Sequence, residues 1–480
     1  MGCRVALVYP RWNWIEYNGL AEPLGLLQLV SSLRNAGHLV SYLDYSFCTS
    51  LDELDDQARD ADLIGVSVSA AATLGSAATV AEHLRRVNPE AYLLAGGAYP
   101  SIFPEHTMKA APFDYALIGE AEESIVELAG SISKGTDPYT VSNLVYRNSQ
   151  GNVVVNPRRP VQNNLDTLPF PARDVVDYNS YLKNGMHEFG VITSRGCPFN
   201  CLYCKPSTDR IFGGGIRFRS AENVVSELAE LARLRNTSTL PVFFKDDTIT
   251  LHPTDWFERF RDCLREKNLK LKWHCATRVD TVTEKKLQVM AESGCHCISY
   301  GVESGSQRIL DFYRKGTTVE QAVDAFKWSH KFGIEATAML MIGCPMEHEE
   351  DLEATYSLLK KLKPDDIVVY FSTAIPGREI HEWAEKEGYL ISDSNPELLD
   401  PSRNRAHEVM NMRLPYLGLE DVVHWKHKIE KYRSFRKVTS TDNIRKWLLD
   451  MVHDPVSGAK SAGLVLKGFS GQRDRTSGKT

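Results

Sequence analysis

The chain is predicted to fold as two successive α/β domains: a doubly wound, Rossmann-like domain, then a partial (β/α)6 barrel, followed by a small helical region. Three observations predict this. Short apolar runs alternate with helical patterns over residues 4–135, as in a parallel sheet with helices on both faces. The alternation lapses in a proline-rich stretch and resumes as six strand–helix repeats from Phe189. Six repeats are too few to close an eight-stranded barrel, so the second domain is expected to be open.

The whole-chain properties fit. At 480 residues two or three domains are expected, and 42% hydrophobic with 25% charged residues is a soluble globular composition. A net charge of −6 gives no reason to expect nucleic acid or an anionic membrane as partner. No apolar run approaches ~20 residues, and Met1–Tyr9 lacks a signal-peptide pattern. A cytoplasmic location is expected.

In the first domain Arg4–Tyr9 is the opening strand. Leu26, Leu29, Val30 and Leu33 recur at helical spacing, and Gly37 ends that helix. Leu39–Leu43 and Asp62–Val68 are the next strands, the second buried by composition. A helix over 74–87 precedes strand Ala91–Ala95 and the turn Gly96-Gly97. Phe113–Ile118 is the fifth strand, and Glu120 opens another helix. Ligands of such sheets sit at the carboxyl ends of the strands. The loops there are rich in small residues, which let a flat ligand approach the backbone or simply make tight turns. No G-x-G-x-x-G follows the first strand, which weakens a dinucleotide reading.

Leu144–Arg147 and Val153–Val155 flank Ser149-Gln150-Gly151-Asn152, a hairpin signal. Pro157, Pro160, Pro169 and Pro171 mark an extended connector. The expected organisation is residues 1–140 for the Rossmann-like domain, 141–185 for a linker containing the hairpin, 186–390 for the barrel, 391–466 for a helical C-terminal region and 467–480 for a disordered tail. The expected barrel strands are Phe189–Thr193, Val242–Asp246, Leu271–His274, Cys297–Gly301, Glu335–Ile342 and Asp366–Phe371. Beyond 390, Trp425, Ile429 and Tyr432 share one helix face among Lys426, Lys428 and Lys431. Those lysines read as a solvated face or as a lid over an anionic substrate.

The stretch that carries chemistry is Ser194-Arg195-Gly196-Cys197-Pro198-Phe199-Asn200-Cys201-Leu202-Tyr203-Cys204, directly after the first barrel strand. Three thiolates at C-x3-C-x2-C spacing can hold three corners of a cubane iron–sulfur cluster. The fourth iron is then left without a protein ligand, and an open coordination position marks a reactive site. Of the ten cysteines this is the only clustered triplet. Cys295 and Cys297 point the same way on a predicted strand and read as core cysteines or as part of a second cluster. Cys3, Cys48, Cys263 and Cys275 read as packing residues.

C-P-F-N-C-L-Y-C resembles the cluster motif of the radical S-adenosylmethionine (radical SAM) enzymes, and its place after the first strand of a six-repeat barrel matches that family. The resemblance implies that Cys197, Cys201 and Cys204 bind a 4Fe–4S cluster whose fourth iron is chelated by the amino and carboxylate groups of SAM. One electron, from a flavodoxin- or ferredoxin-type donor or a dedicated reductase, would cleave the sulfonium. The 5′-deoxyadenosyl radical would then abstract hydrogen from a small polar metabolite. The resemblance places Tyr203 by the adenine and Met341 in an apolar adenine wall. Asp246 or Asp247 would lie near the SAM ammonium, unless the pair caps the following helix. Arg278 would clamp the SAM carboxylate, and Glu303 and Ser304 would meet the ribose or the methionine moiety.

Pro23-Leu24-Gly25-Leu26-Leu27, Gly96-Gly97-Ala98-Tyr99-Pro100 and Gly119-Glu120-Ala121-Glu122 resemble the cobalamin-binding domain that precedes the barrel in one large radical SAM subgroup. No D-x-H-x-x-G motif occurs, so there is no histidine of that motif to ligate cobalt. Arg11, Trp12 and Trp14 could cover the lower corrin face or fill the space a corrin needs, and Tyr99 stands where the subgroup often has histidine. Cobalamin binding and a scaffold role for the domain both stay open. The implied function is a cobalamin-dependent methyltransferase acting on carbon in secondary-metabolite or antibiotic biosynthesis, with one SAM methylating cobalt and another supplying the radical. The alternative is a cobalamin-independent dehydratase, epimerase or cyclase acting on an aminoglycoside or sugar. A noncatalytic sensor fits the intact cysteine triplet poorly.

Overall fold

The computed structural model describes residues 2–10, 20–69, 71–234, 240–391 and 410–439. The first sheet contains β1 (Arg4–Tyr9), β2 (Leu39–Asp44), β3 (Leu63–Ser67), β4 (Tyr92–Gly96), β5 (Tyr115–Leu117), β6 (Leu144–Arg147) and β7 (Val153–Val155). Their order is β2-β1-β3-β4-β5-β6-β7, and β1 to β5 are parallel. Successive side chains enter opposite faces. Ala6, Val8, Ile64 and Val66 fill one core, while Val5, Leu7 and Leu63 fill the other. That is why these strands read as continuous apolar runs. The order reverses between β1 and β3, the crevice where doubly wound sheets bind ligands. Arg11, Trp12 and Trp14, after β1, lie outside the described residues.

The hairpin corrects one expectation. It belongs to this sheet and not to a linker over 141–185: β6 pairs antiparallel with β5, Ala116 opposite Val145, and β7 pairs with β6. Leu144 and Val145 are fully buried. The hairpin covers what would otherwise be an open edge of the parallel sheet. Its turn chemistry is local and does not reveal which edge it joins. The connector that follows is pinned to the helix Leu24–Asn35, where Ser31 Oγ donates to the Phe170 carbonyl at 2.6 Å.

The second sheet contains β8 (Phe189–Val191), β11 (Val242–Phe244), β12 (Trp273–Arg278), β13 (Cys295–Glu303), β14 (Glu335–Ile342) and β15 (Asp366–Phe371). They are parallel, in the order β15-β14-β13-β12-β11-β8. Two short strands, β9 (Ser194–Arg195) and β10 (Arg217–Phe218), form a separate antiparallel ladder. This is the expected six-stranded open barrel. β12 and β13 run further toward the mouth than the apolar pattern suggests, because polar residues fill their last positions. Burial alternates along the strands. Ile298, Tyr300, Leu340, Ile367 and Val369 are buried toward the helices, whereas Ser299, Met339, Met341, Val368 and Tyr370 are half-buried. The half-buried face is the barrel lumen.

An open barrel has two edge strands, and both are covered. The helix Leu419–Thr439 lies against β15, with Val422 and Ile429 fully buried and Trp425 nearly so. Lys426 Nζ stands 4.9 Å from the Phe371 ring centroid and Lys428 Nζ 3.6 Å from that of Trp425. The apolar stripe therefore packs on the barrel, with lysines along its flanks. At the other edge, the outward backbone groups of β8 and of Ile192 just after it meet charged side chains. Gly190 N–H donates to Glu22 Oε1 at 3.2 Å, Arg173 Nη2 donates to the Gly190 carbonyl at 2.7 Å, and Arg219 Nη1 donates to the Ile192 carbonyl at 2.7 Å. The expected tail 467–480 and most of 391–466 lie outside the described residues. No described helix is long and apolar enough to cross a membrane.

Candidate active site

The cysteine loop leaves the β9–β10 ladder through Gly196, whose φ is +89°. A Cβ there would stand 2.5 Å from the Gly215 carbonyl oxygen, so only glycine fits. The loop is pinned from several sides. Leu202 N–H donates to the Tyr313 carbonyl at 2.9 Å, Ile380 N–H to the Leu202 carbonyl at 3.1 Å, and Glu379 N–H to the Lys205 carbonyl at 2.7 Å. Lys205 Nζ donates to the Cys197 carbonyl at 2.8 Å. Gly196→Ala is expected to disorder this loop, at a cost of about 1–2 kcal/mol for the left-handed backbone alone plus the clash. Iron retained per chain after anaerobic reconstitution should fall; wild-type retention would show that the loop tolerates the methyl group.

Cys197 is half-buried, Cys201 is buried and Cys204 is exposed. Burial pushes the Cys197 thiol up, and protein atoms crowding the Cys204 thiol push it up to about 11. Cations pull the other way: Lys205 beside Cys197, and Arg378 and Lys315 beside Cys204. Arg278 Nη1 lies 3.4 Å from Cys201 Sγ. Each sulfur thus has a cation close by, which suits thiolates bound to iron. Among the described residues no three ligand side chains converge on a single ion. Three cysteine sulfurs on one loop, each beside a cation, are the donor set of a cubane cluster.

Tyr203 OH donates to Glu303 Oε1 at 3.1 Å and accepts from Lys315 Nζ at 2.9 Å, while Lys315 Nζ also reaches Glu303 Oε1 at 2.8 Å. Glu303 ends β13 with φ +61°. Gly301 makes room for the pair: a Cβ there would meet Glu303 Oε1 at 2.7 Å and Lys315 Nζ at 2.9 Å. Met341 is half-buried in the apolar cluster of Leu202, Tyr203 and Tyr313. These residues converge beside the cysteine loop.

The two aspartates separate. Asp246 is buried and accepts from Thr193 N–H at 3.0 Å, Thr193 Oγ1 at 2.8 Å and Ser194 Oγ at 2.5 Å. Burial pushes its carboxyl up to about 6 against those hydrogen bonds. It ties the end of β11 to the start of the cysteine loop. Asp247 is exposed at the mouth, within the field of Lys205 and Cys197. Ser304 is buried at 1% exposure, and its Oγ accepts from Ser306 N–H at 3.1 Å and contacts Thr355 Oγ1 at 3.3 Å. It faces the helix Glu349–Leu362 and not the mouth. Arg278 has its fork on Asp280, at 2.9 and 2.8 Å.

Sequence reasoning did not pair the two domains. Arg195 reaches Glu122 Oε1 at 2.6 Å and Glu120 Oε1 at 3.2 Å. Arg217 holds both oxygens of Glu120, at 3.0 and 2.7 Å. The loop after β5 is thereby clamped to the cysteine loop. A Cβ on Gly377, after β15, would stand 2.5 Å from Ile102, in the helix after β4. The carboxyl ends of both sheets therefore face one another. At the first sheet's end a Cβ on Gly96 would meet nothing within 4 Å, while one on Gly97 would meet the Val68 carbonyl at 2.7 Å. Among the described residues this edge is built of small residues, which let a flat ligand approach the backbone. Tyr99 is buried with its OH 3.0 Å from His106 Nδ1, so it serves the domain interior.

Fold and site together define a two-domain enzyme class, with a cysteine loop at the mouth of an open barrel and a doubly wound domain set against that mouth. The family model described as the radical SAM superfamily matches residues 191–359, and that described as the B12 binding domain matches residues 12–129. The chain belongs to the radical SAM superfamily, in the group with an N-terminal B12-binding domain. Its cofactors are accordingly a 4Fe–4S cluster and SAM. It is 35% identical over 380 residues to an uncharacterised methyltransferase of Pyrococcus horikoshii, covering 77% of this chain and 80% of that one. It is 27% identical over 380 residues to the anaerobic magnesium-protoporphyrin IX monomethyl ester cyclase of Rubrivivax gelatinosus, covering 75% and 66%. The radical SAM methyltransferase TsrM of Kitasatospora setae, solved with cobalamin and a 4Fe–4S cluster bound, shares the fold at TM-score 0.67 and 20% identity, over 82% of this chain and 76% of that one.

Proposed function

We propose that the protein is a cobalamin-dependent radical SAM methyltransferase acting on a carbon of a small polar metabolite, with an electron donor of flavodoxin or ferredoxin type. Cys197, Cys201 and Cys204 hold the cluster in this reading. Tyr203 and Met341 wall the adenine, Glu303 with Lys315 meets the polar part of SAM, and Asp247 is the carboxylate for its ammonium. When bound, the cluster supplies the electron that cleaves SAM, and the corrin supplies a carrier for the methyl group. Asp246 orients the loop and Gly301 leaves room for Glu303. The lumen residues Ser299, Met339, Val368 and Tyr370 offer a walled space of mixed polarity that would shield a substrate radical from water.

The observation that carries the methyltransferase reading is the clamp of Arg195 and Arg217 on Glu120 and Glu122. It sets the first sheet's carboxyl edge against the cysteine loop, so that a ligand on that edge shares the mouth with SAM. The test is to produce the full chain with cobalamin available and reconstitute it anaerobically. Corrin absorption that co-purifies, with release of both deoxyadenosine and S-adenosylhomocysteine, is the expected result. Deoxyadenosine formed by protein that never takes up a corrin would overturn it in favour of a dehydratase, epimerase or cyclase.

A further inference from the structure

Arg278 ends β12 and is 5% exposed behind the cysteine loop. Asp280 grips Nε and Nη2 with both carboxylate oxygens. Nη2 also donates to the Lys315 carbonyl. Cζ stands 3.6 Å from the centroid of the Phe199 ring, which sits between the first two cysteines of the motif. Carboxylate, carbonyl and ring together allow the guanidinium one orientation. In that orientation Nη1 is 3.4 Å from Cys201 Sγ. The fork that would grip the carboxylate of SAM is already taken by Asp280.

We propose that Arg278 is a positioning residue for the cluster: it donates a charge-assisted hydrogen bond to the Cys201 thiolate and makes the cluster easier to reduce. This rests on the reading of Cys197, Cys201 and Cys204 as cluster ligands. A thiolate pushes electron density onto iron. A cationic N–H on the sulfur draws that density back and stabilises the more negative, reduced state. The couple takes one electron from an external reductant, a flavodoxin- or ferredoxin-type protein in the cell or dithionite in the assay. No bond to Arg278 forms or breaks, and the guanidinium keeps its proton. Phe199 serves as the platform that keeps the guanidinium level with the sulfur.

The test uses the full chain, anaerobically reconstituted, as wild type, Arg278→Gln and Arg278→Lys. Iron content is measured first, then the reduced-to-oxidised ratio of the cluster by electron paramagnetic resonance at a fixed solution potential, then SAM affinity by equilibrium dialysis. Arg278→Gln is expected to keep its iron and to lower the reduced-to-oxidised ratio by about tenfold. Arg278→Lys should recover part of that loss by retaining the charge, and SAM affinity should change little. An unchanged ratio in Arg278→Gln overturns the proposal. Lost SAM affinity with an unchanged ratio also overturns it and makes Arg278 the carboxylate clamp instead. If Arg278→Gln takes up no iron, Arg278→Lys decides: keeping the charge but losing the fixed N–H on the sulfur should lower the ratio by a smaller factor, and no change overturns the proposal. A wild type that takes up no cluster would sink the ligand reading itself, a result distinct from all of these.

Discussion

Replacing Glu227 by alanine is expected to destabilise the protein by about 3–5 kcal/mol, the cost of stranding buried charges. Glu227 is 2% exposed in the helix Ala221–Leu234. Its Oε1 accepts from Arg173 Nη2 at 2.7 Å and its Oε2 from Arg219 Nη1 at 2.5 Å. Without it, two guanidiniums lose their shared carboxylate in a place water hardly reaches. Glu22 cannot replace it. It stands 3.6 Å from Arg173 Nη1, and burial pushes its carboxyl up against the pull of that arginine. The network matters beyond its own charges because it closes the free edge of β8. Gly190 and Ile192 turn their backbone groups away from β11, toward Glu22, Arg173 and Arg219. Glu22 comes from the first domain and Arg173 from the connector, so the same contacts hold the domains together. Urea unfolding followed by intrinsic fluorescence should show an earlier transition for Glu227→Ala and a smaller shift for Glu227→Gln, which keeps the shape and one acceptor. A shift below about 1 kcal/mol in the alanine variant would mean that water solvates this edge in the native state.

Both sheets were legible because their strands are apolar runs separated by helical periodicity, and the physics that buries them is local in sequence. The same holds for the cysteine loop, whose three cysteines lie within eight residues of one another. What stayed hidden depends on contacts distant along the chain. Arg195 and Glu122 are 73 positions apart. Each had a visible neighbour motif, yet no spacing rule joins a carboxylate after one sheet to a guanidinium after another. Lys315 lies 12 positions beyond Glu303, on a turn with no periodicity to mark it. Ser304 shows the opposite failure. It sits next to Glu303 in sequence, but the left-handed backbone at Glu303 turns the chain so that its hydroxyl faces Thr355. Asp246 and Asp247 are alternatives by charge alone. The hydrogen bonds from Thr193 and Ser194 separate them, and those depend on the register of β8 against β11. The hairpin was read correctly as a hairpin and assigned to the wrong body, since the open edge of β5 that it covers lies outside its own sequence.

The cysteines allow the sharpest contrast. Cys201→Ala is expected to abolish deoxyadenosine formation and to strip most iron from the reconstituted chain, whereas Cys295→Ala should leave iron at about four per chain. Cys201 lies 3.4 Å from a guanidinium nitrogen, on a loop whose neighbouring sulfurs also face cations. Such cations balance the charge that iron-bound sulfurs carry. Cys295 is 5% exposed on β13, its thiol paired with Cys275 and its Sγ 3.8 Å from the Cys297 carbonyl. Burial pushes it well above the ordinary thiol range, and its surroundings raise it further. Cys297, burial-raised to about 11, turns to Thr337 instead. A buried thiol that meets only neighbouring thiols and a backbone carbonyl acts as a small apolar side chain. Its truncation should cost about 1 kcal/mol of stability, the scale for a modest core deletion. Iron analysis and deoxyadenosine release after addition of SAM and dithionite read both variants. Deoxyadenosine from Cys201→Ala would remove the loop from the chemistry. Wild-type protein holding about eight irons, reduced to about four by Cys295→Ala, would place a second cluster on β13. The setting of Cys295 argues against that outcome: it is buried among the thiols of Cys275 and Cys297, where a cluster would bring negative charge into the core.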